Sequence, residues 1–300
     1  MNDLGRNTPA TPTSAATPDR LQETREHWDA RYRESESMWS GKVNHALEQA
    51  FTRVGMNPAP RPNLRALDLG CGEGGDALWL ASQGYAVTGV DIAPTAIERA
   101  QSHALRQGVT ATFAASDAES WLAHQHATGS SFDLITVSFL HTNVVEEREE
   151  LLRAARTLLH PGGVFLTVSH AHMPPWARKN FTDEQWEART RALPTLESEP
   201  ALLSGEVLLA EVWDRTVEDP SGQPAVLEDL VVAVRRLREG STRVAGEQLL
   251  PARNRHHKGQ TGVTRRNSLR LQYEENEPTQ SVPGRSHRYC TGSCRLRWWR

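Results

Sequence analysis

The chain predicts an α/β fold: a mostly parallel seven-stranded sheet, helices on both faces, and a C-terminal antiparallel hairpin. Three observations predict it. Short apolar runs alternate with amphipathic stretches from Leu64 onward, the pattern of βαβ units and a covered parallel sheet. A glycine-rich run, Gly70-Cys-Gly-Glu-Gly-Gly75, sits between the first such strand and the helix after it. Two long strand-like runs near residue 220 are joined by the turn Asp219-Pro-Ser-Gly222, and so short a connection makes an antiparallel pair.

The elements follow in order. Residues 1–20 read as a disordered Thr/Pro/Ala-rich leader without the apolar core of a secretory signal. A helical stretch follows over Arg25–Tyr32, then the turn Trp39-Ser-Gly41, and a helix over Ala46–Val54 that Pro58, Pro60 and Pro62 end. Leu64–Leu69 is a buried strand. Asp76–Gln83 has helical spacing and stops at Gly84. Ala86–Asp91 is the second strand, and Pro94–Gln107 a helix with proline in its first turn and Gly108 after it. Thr110–Ala115 and Phe132–Ser138 are the third and fourth strands. The spacing of Leu151, Leu152, Ala155, Leu158 and Leu159 predicts a helix over Glu146–Leu159, then a turn at Pro161-Gly-Gly163 and a fifth strand over Val164–Ser169. Met173–Gly205 reads as a polar, partly helical insertion carrying Trp176 and Trp186, before hairpin strands Val207–Arg215 and Val226–Arg236.

Charge divides the chain. Residues 241–300 hold 12 basic and 4 acidic residues, whereas residues 1–240 hold 22 and 33. The last 60 residues lack any sustained period and read as a basic disordered tail. Their ending, Cys290 to Arg300, resembles an out-of-frame translation of GC-rich DNA; a solvated linker and a binding arm are the alternatives. Cys290 and Cys294 have a spacing zinc tolerates, near His256, His257 and His287, but no second ordered pair faces them, so no metal is expected. The acidic body argues against nucleic acid as a partner. No apolar run is long enough for a membrane span, and three cysteines are too few for a disulfide scaffold. A cytoplasmic monomer is the expectation.

The site signal is Asp68-Leu-Gly70-Cys-Gly72-Glu-Gly74. Glycines allow a sharp turn off the strand and close approach of a ligand. Gly70, Gly72 and Gly75 also satisfy G-x-G-x-x-G, with Asp91 21 residues after Gly70, so a nicotinamide-dependent oxidoreductase is open on the motif alone. Asp68 counts against it, because an acid at the strand end repels a pyrophosphate and attracts an ammonium. So do a further acid, Asp117, after the third strand, and the closing hairpin.

Together these features resemble a class I methyltransferase that uses S-adenosylmethionine (SAM), which has a Rossmann-like sheet. The resemblance covers about residues 25–237. It implies that the Asp68–Gly74 loop, with Gly70, Cys71 and Gly72, holds the methionyl end of SAM. Asp91, with Ile92 beside it, takes the ribose hydroxyls; Asp117 and Ala118 take the adenine; Phe139 walls the pocket. Trp28-Asp-Ala-Arg31-Tyr32 followed by Trp39-Ser-Gly41 and Asn44 is similar to the opening of the thiopurine S-methyltransferase and tellurite-resistance group. That similarity implies Arg31 and Trp39 as cofactor contacts on a segment folded over the donor, with Trp28 left to packing. His141 and His170 end the fourth and fifth strands, where ligands of open α/β sheets bind, and are the candidate catalytic bases. Asp117 as a helix N-cap, Trp39 as a core aromatic and either histidine as a structural residue are the competing readings. Cys71 reads as a small filler, not a nucleophile. The implied reaction is in-line transfer of methyl to a small-molecule thiol, chalcogen or other nucleophile. A catalytically silent SAM-binding protein is a further alternative.

Overall fold

A computed structural model describes residues 18–56, 64–140 and 145–238. The expectations for the 241–300 tail, for Cys290 and Cys294, for the Pro58–Pro62 connector and for His141 lie outside the described residues.

One seven-stranded sheet organises the fold, in the order β3-β2-β1-β4-β5-β7-β6. β1 (Arg65–Leu69), β2 (Ala86–Asp91), β3 (Thr112–Ala115), β4 (Phe132–Ser138) and β5 (Leu159–His170) pair in parallel. β6 (Glu206–Glu218) and β7 (Pro224–Arg235) form an antiparallel hairpin that pairs through β7 onto β5. The chain leaves β1 toward β2 and β3, then returns to the other side with β4 and β5. The crevice for a ligand therefore opens at the carboxyl ends of β1 and β4, where strand order reverses.

Side-chain alternation divides the core into two layers. Ala66, Leu134, Val164, Leu166, Val168, Val231 and Ala233 face one side, where α2 (His45–Arg53) and α3 (Gly75–Ser82) supply Leu47, Phe51, Ala77 and Leu80. Leu67, Leu69, Ile135, Val137, Phe165, Leu230 and Val232 face the other, covered by Leu122 of α5 (Ala118–Ala127), Leu152 and Ala155 of α6 (Val145–Thr157), and Leu203 of α8 (Ser198–Leu203). The insertion also contains a 3₁₀ turn, Pro175–Asn180, and α7 (Asp183–Arg191), which a Thr182/Gln185 capping box starts. Trp79 of α3 packs edge-on against Phe51 at 5.0 Å.

Several boundaries differ from the sequence expectation, among them the hairpin strands, which run over Glu206–Glu218 and Pro224–Arg235. The helix over Glu146–Leu159 stops at Thr157: Leu158 is the turn that follows, and Leu159 opens β5. Phe132 donates its N–H to Leu158 at 2.8 Å and pairs with Leu159, and Pro161–Gly163 becomes an irregularity inside β5 instead of a turn before it. Apolar residues at that spacing satisfy a helix or a buried strand equally, and pairing with β4 decides. The first helix, α1 (Pro18–Arg33), begins inside the expected leader, opening on a proline whose missing N–H costs nothing at a first turn. β3 starts at Thr112, two residues late.

α1 returns over the carboxyl end of the sheet beside α4 (Pro94–Gln107). Ala93, the residue before α4, has no capping side chain. Asp29 of α1 fills that role, accepting from the Thr95 N–H at 2.8 Å while 6 % exposed. Burial alone would raise its carboxyl, but hydrogen bonding from Thr95 and the Arg33 charge hold it below the usual carboxylate range.

Candidate functional site

A cavity of about 670 Å³ opens over the carboxyl ends of the strands. Asp68, Gly70, Cys71, Gly72, Asp91, Ile92, Asp117, Ala118, Phe139, His170 and Trp39 all line it. Arg31 does not line it; its guanidinium lies over the Trp28 ring at 5.5 Å. Trp28, assigned by sequence to packing, both packs beside Tyr32 and lines the cavity.

The glycine loop turns off β1 and immediately spends its amides. Gly70 and Cys71 donate to the Val90 carbonyl at 2.8 and 3.0 Å, Gly72 donates to Asp91 Oδ2 at 2.9 Å, and Gly74 donates to Cys71 at 2.9 Å. A dinucleotide site needs loop amides turned to a pyrophosphate. Here β2 takes those of Gly70, Cys71 and Gly72, and the loop's own Cys71 carbonyl takes that of Gly74. The third glycine of G-x-G-x-x-G serves another contact: a Cβ on Gly75 would stand 2.5 Å from the Lys42 carbonyl. At Gly72 (φ +52°) a Cβ would meet the Tyr32 hydroxyl at 3.0 Å and Trp39 Nε1 at 3.3 Å. The N-terminal segment therefore lies directly on the loop.

Several carboxylates are set into the cavity wall, Asp68, Asp76 and Asp91 among them. Asp68, 2 % exposed, accepts from Thr136 Oγ1 at 2.8 Å through Oδ1. Its Oδ2 has no hydrogen-bond partner among the described residues. Burial, with the charges of Asp76 and Asp91 nearby, pushes its carboxyl well above the usual range. Asp76 accepts from the Asn44 N–H at 2.6 Å, and burial pushes it up as well. Asp91 accepts from Gly72 and Ala93, each at 2.9 Å; burial outweighs those bonds and raises it. Burial, then Asp91 and Asp68, drive the Cys71 thiol far up, so it is no thiolate nucleophile. Asp117 uses Oδ1 to cap α5, accepting from the Ser120 N–H at 2.8 Å, while still lining the cavity. Capping and ligand contact are compatible at that residue.

Among the lining residues that the sequence does not mark, two stand beside the glycine loop. Asp76 is one. Glu73, at an unconstrained position of the glycine motif, is the other. It is 1 % exposed and accepts from the backbone N–H groups of Met38 (3.1 Å) and Trp39 (3.0 Å) and from Arg99 Nη1 of α4 (2.7 Å). Arg99 also reaches the Ser35 carbonyl at 2.6 Å. Glu73 thus ties the glycine loop, α4 and the segment bearing Trp39 together, and Trp39 Nε1 donates to Tyr32 Oη at 3.3 Å. Only the acidic side chain between two glycines could have signalled this in the sequence.

The wall suits a donor carrying positive charge. The unpartnered Asp68 oxygen, the raised carboxylates and the cavity's size fit the ammonium, sulfonium and ribose of SAM. They do not fit a pyrophosphate.

Comparison with known proteins agrees with this wall. A family model described as a methyltransferase domain matches residues 60–216. The chain is 34% identical over 112 residues to a 2-heptyl-1-hydroxyquinolin-4(1H)-one methyltransferase of Mycobacteroides abscessus, covering 36% of this chain and 48% of that one. It is 33% identical over 131 residues to a ubiquinone biosynthesis O-methyltransferase of Caulobacter sp., covering 43% and 50%. The chain thus spans about half the length of these curated relatives. Among solved structures, one from a study of the conversion of a disulfide bond into a thioacetal group during echinomycin biosynthesis superposes with a TM-score of 0.52 at 25% identity, covering 73% of this chain and 94% of that one. TehB from Haemophilus influenzae superposes with a TM-score of 0.46 at 16% identity, covering 71% and 66%. With more than half of its residues matched by the family model, this chain belongs to the methyltransferase-domain family.

Proposed function

We propose that this chain binds SAM and moves its methyl group by in-line displacement to a small-molecule acceptor, leaving S-adenosylhomocysteine. The observation that carries the reading is the carboxylate wall at the glycine loop, with Asp68 Oδ2 left without a hydrogen-bond partner among the described residues. Bound SAM supplies an electrophilic methyl on sulfur. The chain's own residues then bind, orient and exclude water. Asp68 and Asp76 face the positively charged end, Asp91 and Ile92 take the ribose, Asp117 and Ala118 the adenine. Trp39 and Tyr32, held by Glu73, cover the loop. Holding donor and acceptor in line supplies most of the rate for a nucleophile already ionised.

The relatives named above are small-molecule methyltransferases by name, which supports an acceptor of that kind. The Trp28–Trp39 segment lying on the glycine loop supports the resemblance to the thiopurine and tellurite group. We place the methyl-transfer unit at about residues 21–240, acting as a cytoplasmic monomer. No helix among the described residues is long and apolar enough to cross a membrane.

Isothermal titration of SAM, and separately NADH, into the full-length protein tests the reading. SAM heat without NADH heat is expected, and Asp91→Ala should abolish most of it. NADH binding, or SAM binding unchanged in Asp91→Ala, overturns the assignment.

A further inference from the structure

The cavity does not stop at the donor. It runs from the glycine loop past Leu140 and Phe139 to the antiparallel half of the sheet. A Cβ on Gly70 would meet Leu140 Cδ1 at 2.9 Å, so the Phe139-Leu140 corner adjoins the loop directly. Phe139 takes φ +50°, a left-handed conformation strained for a side-chain-bearing residue. Its ring rests on the His170 ring, with centroids 4.6 Å apart.

His170 ends β5 on the face that carries Val164, Leu166 and Val168, and strand register sets it directly opposite Asp229 of β7. Trp213 of β6 is the other partner of Asp229, so Arg215, two residues on, shares that face. Asp229 is 1 % exposed. It accepts from Arg215 through both oxygens, Nε to Oδ2 at 2.5 Å and Nη2 to Oδ1 at 3.1 Å, and Oδ1 lies 3.6 Å from His170 Nδ1. Burial would raise its carboxyl; the nearby His170 imidazole and the paired Arg215 guanidinium outweigh it and hold the carboxyl below the usual carboxylate range. The Arg215 guanidinium in turn lies over the Phe139 ring at 5.3 Å. The lining of the same cavity includes the apolar and aromatic Leu21, Trp28, Pro174, Trp176 and Leu227, alongside the charged Arg20, Glu147 and Glu150.

Resting on the methyl-transfer reading, we propose that this corner is the acceptor subsite and that the acceptor atom is the hydroxyl oxygen of a flat, mainly apolar ring compound. The aromatic walls take the ring. A thiolate or selenide arrives ionised and needs no base, whereas a hydroxyl is neutral and must lose a proton during transfer. His170 takes that proton, Arg215 stabilises the charge growing on oxygen, and Asp229 positions both side chains. The balance is complete: the O–H proton passes to the imidazole, the oxygen lone pair forms the new O–CH₃ bond, and the C–S bonding pair stays on sulfur. Arg215 and Asp229 have no motif that marks them in the sequence; the hairpin register alone brings them to His170.

The test uses full-length protein, SAM, and three probes: catechol, 7-hydroxycoumarin and thiophenol. Release of S-adenosylhomocysteine is measured beside SAM affinity. Wild type should methylate at least one hydroxyl probe in preference to thiophenol, a result that needs no variant. His170→Gln should bind SAM normally and lose about 10²-fold or more of hydroxyl turnover, with a much smaller loss on thiophenol. Arg215→Met should likewise cost more on oxygen than on sulfur. Turnover of thiophenol with both hydroxyl probes inert overturns the proposal. So does inactivity toward all three with SAM bound, or an equal loss on both classes in His170→Gln. Failure of the wild type to bind SAM would overturn the methyl-transfer reading itself, a distinguishable result.

Discussion

At Asp68 the protein keeps a carboxylate where folding alone would not. Its Oδ2 has no hydrogen-bond partner among the described residues and burial raises its carboxyl, so the ionised form is costly until a cation arrives. Asp68→Asn keeps the shape and can still accept from Thr136. It should raise the melting temperature of ligand-free protein at neutral pH and weaken SAM binding by about 2–5 kcal/mol, the usual loss when one partner of a buried charge pair is removed. Calorimetry and a thermal melt on the same sample check both halves. The sign of the pH effect follows. A raised folded value means that the group's contribution to stability is present at low pH and lost as pH rises through that value. SAM favours the ionised form, so its affinity should rise with pH through the same window, with protons released on binding. Glu73 works the other way, as an anchor whose charge is already met by Arg99. Glu73→Gln should weaken SAM binding about tenfold or more and speed tryptic cleavage at Arg31 and Arg33, because charge-assisted bonds to Met38 and Trp39 are worth about 1.5–3 kcal/mol. Unaltered cleavage kinetics would remove Glu73 from lid positioning.

Among the elements, α5 and α1 each carry two functions in one acidic residue or segment. Asp117 caps α5 and lines the cavity, and two variants separate those roles. Asp117→Ala should cost about 1 kcal/mol of stability from the lost cap together with SAM affinity. Asp117→Ser should retain the cap, so an affinity loss at an unchanged melting temperature isolates the ligand contact. In α1, the Trp28–Tyr32 motif becomes a division of labour. Trp28 lines the cavity, Asp29 caps α4, Arg31 covers the Trp28 ring, and Tyr32 receives Trp39. The position after the glycine motif is equally specific: Gly75→Ala would drive a Cβ into the Lys42 carbonyl. A drop in melting temperature and displacement of the 39–44 segment are expected, the latter visible as a change in tryptophan fluorescence from Trp39.

Across the whole molecule, the seven strands and the two-layer core follow from local pattern. Period-2 alternation in β4, β5 and β7 sends Leu134, Val164 and Val231 to one layer and Ile135, Phe165 and Val232 to the other, and those residues are readable without a structure. The glycine loop and the acids ending β2 and following β3 are equally local, because each sits at a fixed offset from its own strand. What the tertiary structure decided are contacts between distant segments. Glu73 meets Met38 across 35 residues, Asp29 meets Thr95 across 66, and Arg215 meets Asp229 through a hairpin register. It also moved Leu159 from a helix into β5, since an apolar run fits either until a neighbouring strand offers hydrogen bonds. A sequence by itself determines period, turn chemistry and which acids end which strands, because those depend on neighbours along the chain. Which side chains share a cavity depends on strand order and register, and these are settled only when the whole sheet closes its hydrogen bonds at once.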